Sequence, residues 1–277
     1  MPESIIVARA KEVRPMRYRT FVSGLAAVGV ALTVWSAAPA VASGASAGGG
    51  ALLPDLRTMR RSFFHTETLP GGTRLLSFGN TVADTGTGPL ELHPRIEDCD
   101  QNGNFQDDRT AYQRIFRDAN DDGYFTRGVD TVFQDRVAGC FTYDPAHGHW
   151  HFQDYARYDL RAIPDGTLIR TNTKVGFCLV DTDHLFPGLP GSPSRPFFLS
   201  LCGSTDTQGI SIGWADTYSP LLPRQWIDIT GVPDGDYCFV STADPDDLLV
   251  ELDSSNNSAS RPLHLDATSV HVLPGSC

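Results

Sequence analysis

His147-Gly148-His149-Trp150-His151-Phe152-Gln153-Asp154-Tyr155-Ala156-Arg157-Tyr158-Asp159-Leu160 is the stretch on which the reading of this chain turns. Taken with the two-residue period of a strand, it separates into two faces. His147, His149, His151, Gln153, Tyr155 and Arg157 fall on one. Trp150, Phe152, Ala156, Tyr158 and Leu160 fall on the other, interrupted by Asp154. The second face is apolar enough to be buried, which turns three imidazoles the other way. Three neutral imidazoles on one face make a donor set suited to copper, zinc, iron or nickel. On a flat strand the first and third histidines would stand about 13 Å apart. One ion therefore requires the segment to bend, and Pro145 and Gly148 permit an irregular entry. The run alone implies a metal site and leaves the metal open.

Working outward, the N-terminus reads as a targeting segment. Arg14, Arg17 and Arg19 precede an apolar run from Phe21 to Ala38, and Ala40-Val41-Ala42 has the small-x-small form of a cleavage site. Residues 1–42 are the expected signal peptide and 43–50 a Gly/Ser/Ala linker. A membrane anchor fits less well because Gly and Ala dilute the run. The expectation is a secreted protein, free of the membrane after cleavage, with one large all-β domain over residues 51–277. Setting aside Arg9, Lys11, Arg14, Arg17 and Arg19 with Glu3 and Glu12 takes the formal charge from −11 to −14. So acidic a chain excludes nucleic acid as a partner and favours cations. Six cysteines in an exported chain allow three disulfides, and the absence of CxxC argues against a zinc knuckle. Beyond the targeting segment Lys174 is the only lysine, although arginines are frequent.

From Thr73 onward, short strand patterns alternate with Gly, Pro, Asn and Asp punctuation, and no helical period is sustained. Strands are expected near Thr73–Phe78, Pro89–Leu92, His149–Leu160, Leu168–Val180, Gln225–Thr230, Asp236–Thr242, Leu248–Leu252, Pro262–Leu265 and Val270–Leu273. Gly71-Gly72, Pro164-Asp165-Gly166 and Pro233-Asp234-Gly235 mark turns. This spacing predicts an all-β, sandwich-like fold with long loops. Residues 98–130 break the pattern as an acidic insertion. Within it, Asp98, Asp100 and Asn102 precede Gly103, and Asp118, Asn120 and Asp122 precede Gly123. Both match the first half of a calcium loop, with oxygen ligands at positions one, three and five. Arg109 and Val129 occupy position twelve, where a glutamate would complete it. A solvated acidic loop without an ion fits the same residues.

Three further stretches join the histidine run: Lys174-Val175-Gly176-Phe177-Cys178-Leu179-Val180-Asp181-Thr182, Asp216-Thr217-Tyr218, and Gln225-Trp226-Ile227-Asp228-Ile229-Thr230. With HGHWHFQDYARYDL they resemble the lysyl oxidase catalytic domain in order and approximate spacing. The resemblance extends to Gln208-Gly209-Ile210-Ser211, to Glu251-Leu252-Asp253-Ser254-Ser255-Asn256-Asn257, and to Pro54-Asp55-Leu56. It implies copper held by His147, His149 and His151, and a lysyl tyrosylquinone made from Lys174 and Tyr218. It also implies structural calcium held by Asp55, Leu56, Glu251, Asp253, Asn256 and Asn257, an oxygen-only set that suits a hard cation. The implied reaction is oxidative deamination of primary amines, lysyl side chains or small amines, to aldehydes with release of ammonia and hydrogen peroxide. Asp216 and Asp253 are candidates for the base.

The chain departs from the family pattern at Ala146 and Asp144, where the family has Cys and His, and at Arg224, where it has Cys. Cys178 and Cys202 match a family pair. Cys99, Cys140, Cys238 and Cys277 have no clear counterparts, and a Cys99–Cys140 bridge would staple the insertion. Two other classes remain in play. One is a calcium-stabilised extracellular binding module that keeps the fold without the quinone. The other is a mononuclear hydrolase or oxygenase using the histidines alone, although the HxHxDH form is absent because Trp150 precedes His151.

Overall fold

Glycine and aspartate turns set the strand ends. Gly71 and Gly72, at φ 106° and 91°, close the hairpin between Phe64–Thr68 and Arg74–Phe78. Gly166, at φ 73°, closes the one between Ala156–Ala162 and Leu168–Thr171, with Asp165 accepting the amide of Thr167. Left-handed φ values of this kind are low in energy only for glycine and a few polar residues. The computed structural model describes residues 49–60, 63–172 and 176–277. The predicted signal peptide, most of the 43–50 linker and Lys174 lie outside the described residues.

The all-β expectation holds. Among the described residues the only helical element is a 3-10 turn at Ser254–Asn256, and the paired strands are antiparallel and form four sheets. The sheet that carries the site has the spatial order Gln208–Ile210, Leu90–Arg95, Asp108–Arg117, Phe133–Asp144, His149–Phe152. A second runs Leu168–Thr171, Ala156–Ala162, Gly235–Ala243, Ser258–Leu265, Val270–Val272. A third contains Asp183–His184, Trp214–Tyr218, Asn80–Asp84 and Leu56–Thr58, and a fourth Trp226–Asp228, Arg74–Phe78 and Phe64–Thr68. Leu56, Phe78, Leu92, Phe152, Tyr158 and Phe239 belong to one buried cluster fed by all four. Cys99–Cys140, Cys178–Cys202 and Cys238–Cys277 are disulfide-bonded.

Three expected strands differ. His149–Leu160 is two strands in two sheets, because Asp154 takes φ 58° and turns the chain between His149–Phe152 and Ala156–Ala162. The face rule fails past that turn, and Tyr155, expected beside the histidines, is buried in the core. Leu168–Val180 stops as a strand at Thr171, and beyond it Phe177 makes only an isolated bridge to Phe152. Leu248–Leu252 forms no strand, since its backbone is satisfied by side chains. Asp244 accepts the amides of Leu248 and Leu249, while Gln113 both donates to the carbonyl of Val250 and accepts its amide, each at 2.8 Å. The acidic stretch 98–130, in turn, contains the long strand Asp108–Arg117.

Gln113 is fully buried and acts as a two-armed clasp on Val250. Replacing it with leucine keeps the volume and strands a donor and an acceptor, at about 1–3 kcal/mol for each buried group. Gln113→Leu is therefore expected to lose about 2–4 kcal/mol in chemical denaturation with the disulfides intact. A loss below about 0.5 kcal/mol would mean that water replaces the clasp without penalty.

Candidate functional site

The histidine strand pairs with the end of Phe133–Asp144, Thr142 opposite His151 and Asp144 opposite His149. Between the two strands the chain makes a tight turn. The amides of His147 and Gly148 both donate to the carbonyl of Asp144, and Gly148 sits at φ 73°. The turn supplies the required bend by folding His147 back over the strand. His147 Nδ1 then lies 3.4 Å and His149 Nε2 2.8 Å from His151 Nε2. His151 is buried and the other two are half-buried. Three imidazole nitrogens converging at one point form a donor set that fits a borderline transition metal better than a hard cation.

A carboxylate sits behind this set. Asp144 Oδ2 lies 3.4 Å from His147 Nδ1, 3.5 Å from His151 Nδ1 and 3.3 Å from Arg224 Nη1. Burial opposes ionisation of Asp144, but the Ala146 amide and the neighbouring His147, Arg224 and His151 hold its carboxyl below the usual range. An ionised carboxylate at Nδ1 of His151 favours the tautomer whose Nε2 lone pair faces the other two rings.

The stretch after Lys174 is fixed to the histidine strand. Phe177 and Phe152 exchange both backbone hydrogen bonds, at 2.9 and 2.8 Å. Gly176 lies so close beneath the site that a Cβ there would stand 3.0 Å from Cβ of His151 and 2.4 Å from Nε2 of Gln153. The ring of Phe177 meets that of Tyr218 edge-on at 4.9 Å, and the Tyr218 hydroxyl donates to the carbonyl of Cys178 at 2.8 Å. Tyr218 thus reaches the strand of His151 through one residue, Phe177. Burial, then the charge of Asp216, pushes the Tyr218 phenol well above its ordinary pKa. Asp216 is buried two residues from Tyr218 on the strand Trp214–Tyr218. Tyr218 also lines a cavity of about 380 Å³ walled by Phe63, Pro220 and Leu221. Of the two candidate bases, Asp216 belongs to this neighbourhood. Asp253 instead caps the turn Ser254–Asn256 by accepting the amide and hydroxyl of Ser255.

The residues expected around calcium are brought together. Asn256 donates to Asp55 at 2.8 Å and to Asp253 at 3.3 Å, and Asn257 donates to Glu251 at 2.8 Å. The amide of Leu56 donates to Glu251 at 2.7 Å. Oδ1 of Asn256 and Oδ1 of Asn257 are buried without a hydrogen-bond partner among the described residues. Burial pushes Glu251 up to about 7. Orphaned carboxamide oxygens beside a carboxylate that resists ionisation fit an oxygen-loving cation.

The two acidic loops diverge. Asp98 and Asp100 converge with Asp108, which the sequence reading missed by looking to position twelve instead of eleven. Asn102 donates to Asp100. In the second loop Asp118 accepts the amides of Asp122 and Gly123, and Asn120 donates to Asp122. No three acidic, histidine or cysteine groups converge there among the described residues.

The family model for lysyl oxidase matches residues 124–275, a span that contains the histidine cluster, Tyr218 and the Glu251–Asn257 turn. The chain belongs to the lysyl oxidase family. Lysyl oxidase homolog 2A of Danio rerio is 30% identical over 167 residues, which is 58% of this chain and 20% of that protein. Lysyl oxidase homolog 4 of Mus musculus is 34% identical over 112 residues, 40% of this chain and 14% of that protein. Lysyl oxidase homolog 2 of Homo sapiens is 30% identical over 152 residues, 54% and 18% respectively. The aligned part thus spans about a fifth or less of these relatives. Asp144 and Arg224, two of the three positions at which the sequence departs from the resemblance, are paired with each other here.

Loss of a carboxylate behind a ligating histidine typically costs 10–100-fold in metal affinity. Asp144→Ala is expected to weaken copper(II) binding by about that factor in chelator competition and to alter the copper EPR spectrum. His151→Ala is expected to abolish binding. Unchanged affinity and spectrum in Asp144→Ala would remove the carboxylate from the site.

Proposed function

We propose that the protein is a secreted copper-dependent amine oxidase that makes its own lysyl tyrosylquinone from Lys174 and Tyr218. The observation that carries this reading is the Phe152–Phe177 bridge, because it joins the stretch beginning at Lys174 to the histidine strand and lays Phe177 on the ring of Tyr218. His147, His149 and His151 would hold copper, which supplies the electron-transfer chemistry that oxidises a phenol with dioxygen, and the quinone supplies an electrophilic carbonyl for a primary amine. Lys174 as the one lysine beyond residue 42 supports its role. Arginine cannot replace it, since a guanidinium stays protonated and is a poor nucleophile.

The remaining chain supplies position and proton transfer. The carbonyl of Cys178 fixes the Tyr218 hydroxyl, and Phe177 restricts the ring from its face. Asp216 is the base we assign, taking a proton from the carbon next to the substrate nitrogen. It is buried two residues from Tyr218 on the same strand. The apolar walls of the 380 Å³ cavity suit the aliphatic stem of a primary amine, a small amine or a lysyl side chain. The overall change is a primary amine, dioxygen and water giving an aldehyde, ammonia and hydrogen peroxide. Three disulfides support an extracellular location, and among the described residues no helix is long and apolar enough to cross a membrane. Asp55, Leu56, Glu251, Asp253, Asn256 and Asn257 would hold a structural calcium.

Copper-loaded, aerated protein is expected to yield a Lys174–Tyr218 cross-linked peptide that phenylhydrazine labels, and to release peroxide with primary amines. Lys174→Arg and Tyr218→Phe should fold and bind copper while losing both signals. Amine oxidation with Lys174 and Tyr218 in separate, unmodified peptides would overturn the reading. Copper binding with neither cross-link nor activity would favour the calcium-stabilised binding module.

A second expectation concerns calcium. Removing it with excess chelator should lower the melting temperature, with about 2.7 kcal/mol lost relative to protein in calcium at a hundredfold excess over Kd. Glu251→Gln should reduce that shift. Identical melting with and without chelator would exclude the ion.

A further inference from the structure

We propose that Asp98, Asp100 and Asp108 form a second, separate calcium site, one that braces the histidine strand from two strands away in the same sheet. It lies before residue 124, outside the part of the chain that the lysyl oxidase model matches.

The three side chains each offer an oxygen, all within 4.8 Å of one another. Such proximity of three carboxylates is unfavourable unless a cation offsets it. No arginine does so among the described residues. Arg109, the adjacent cation, donates to the carbonyls of Phe105 and Asp108 and stacks on Trp150 at 4.5 Å. Asp108 points to a ligand independently of the cluster. It is 1% exposed, its Oδ2 accepts the amide of Asp100 at 2.7 Å, and its Oδ1 is buried with no hydrogen-bond partner among the described residues. A buried carboxylate oxygen left empty-handed beside two other carboxylates is what a hard cation would satisfy.

The ligands are held from two directions. Cys99, between Asp98 and Asp100, is disulfide-bonded to Cys140 on the strand Phe133–Asp144. Asp108 begins the strand paired with that same one, opposite Thr142. Thr142 is in turn opposite His151. Asp108, Thr142 and His151 therefore lie in one line across three strands, about 10 Å from end to end at ordinary strand spacing. An ion at Asp108 would fix the first strand of that line, and Arg109 would carry the constraint to Trp150 between two of the histidines. The site does not depend on quinone chemistry.

Calcium stoichiometry of the copper-loaded full chain, measured by native mass spectrometry over a calcium titration, tests the assignment. Asp100→Asn and Asp108→Asn are each expected to bind one calcium fewer than the unsubstituted chain, or to bind it at least tenfold more weakly. Asp100 is exposed, so its variant separates loss of a ligand from loss of the fold. Glu251→Gln, which removes a ligand of the other proposed calcium site, should leave this ion in place, and Lys174→Arg should leave it untouched. Equal calcium stoichiometry and affinity in the unsubstituted chain and in Asp100→Asn would overturn the proposal. So would the absence of any calcium bound to the unsubstituted chain at about 1 mM, the weak end of extracellular calcium modules.

Discussion

Two reciprocal hydrogen bonds between Phe152 and Phe177 tie together segments that the rest of the site needs side by side. One segment ends the histidine strand. The other follows Lys174 and carries the ring that packs on Tyr218. The imidazole cluster and the tyrosine belong to different sheets, and the bridge acts together with the Cys178–Cys202 disulfide, whose Cys202 carbonyl accepts the Trp150 amide and whose Cys178 carbonyl accepts the Tyr218 hydroxyl. Gly176 shows how close the approach is, because any side chain there would collide with His151 or displace Gln153. A bridge of two bonds is weak alone, about 0.5–1.5 kcal/mol each. Its strength here comes from the fully buried rings of Phe152 and Phe177 in the same core.

The departures from the lysyl oxidase pattern have a consistent physical reading. Asp144 and Arg224 form an ion pair beside the imidazoles. Arg224 adopts φ 63°, a left-handed conformation uncommon for a non-glycine residue. It sits just before Gln225 and Trp226, so the turn that aims its guanidinium also starts the QWIDIT strand. The ion pair restrains the turn electrostatically and places the carboxylate beside His147 and His151.

Much of this was legible in the sequence because the signals were local. Turn glycines fixed several strand ends, and the spacing of His147, His149 and His151 with Gly148 implied a bend that the structure contains. What could not be read was long-range satisfaction of the backbone. Leu248–Leu252 has the composition of a strand, yet Gln113 and Asp244, distant in sequence, take its hydrogen bonds. Alternation through Asp154 assumed a continuous strand, whereas a single left-handed residue transfers the chain to another sheet. Asp108 was missed for a related reason. A loop motif counts positions along the chain, but the third carboxylate is delivered by the first residue of a strand whose register only the sheet determines.

The histidine strand lies at the end of its sheet, where one edge would normally be open to solvent and free to pair elsewhere. Here that edge is occupied. The amide of Trp150 donates to the carbonyl of Cys202 and the amide of Phe152 to that of Phe177, while on the paired side, just past the strand, the amide of Gln153 donates to Cys140. Cys202 and Cys140 are each half of a disulfide, Cys178–Cys202 and Cys99–Cys140. Two covalent links thus terminate on backbone acceptors of the segment that presents the imidazoles. Ligands held on a braced strand keep their separation whether or not a metal is bound, so less of the binding free energy is spent on ordering them. His147 is the exception, since it projects from the turn before the strand, and its place is set by the Asp144 carbonyl and carboxylate. The member of the triad held from outside the strand is therefore the one beside the Asp144–Arg224 pair.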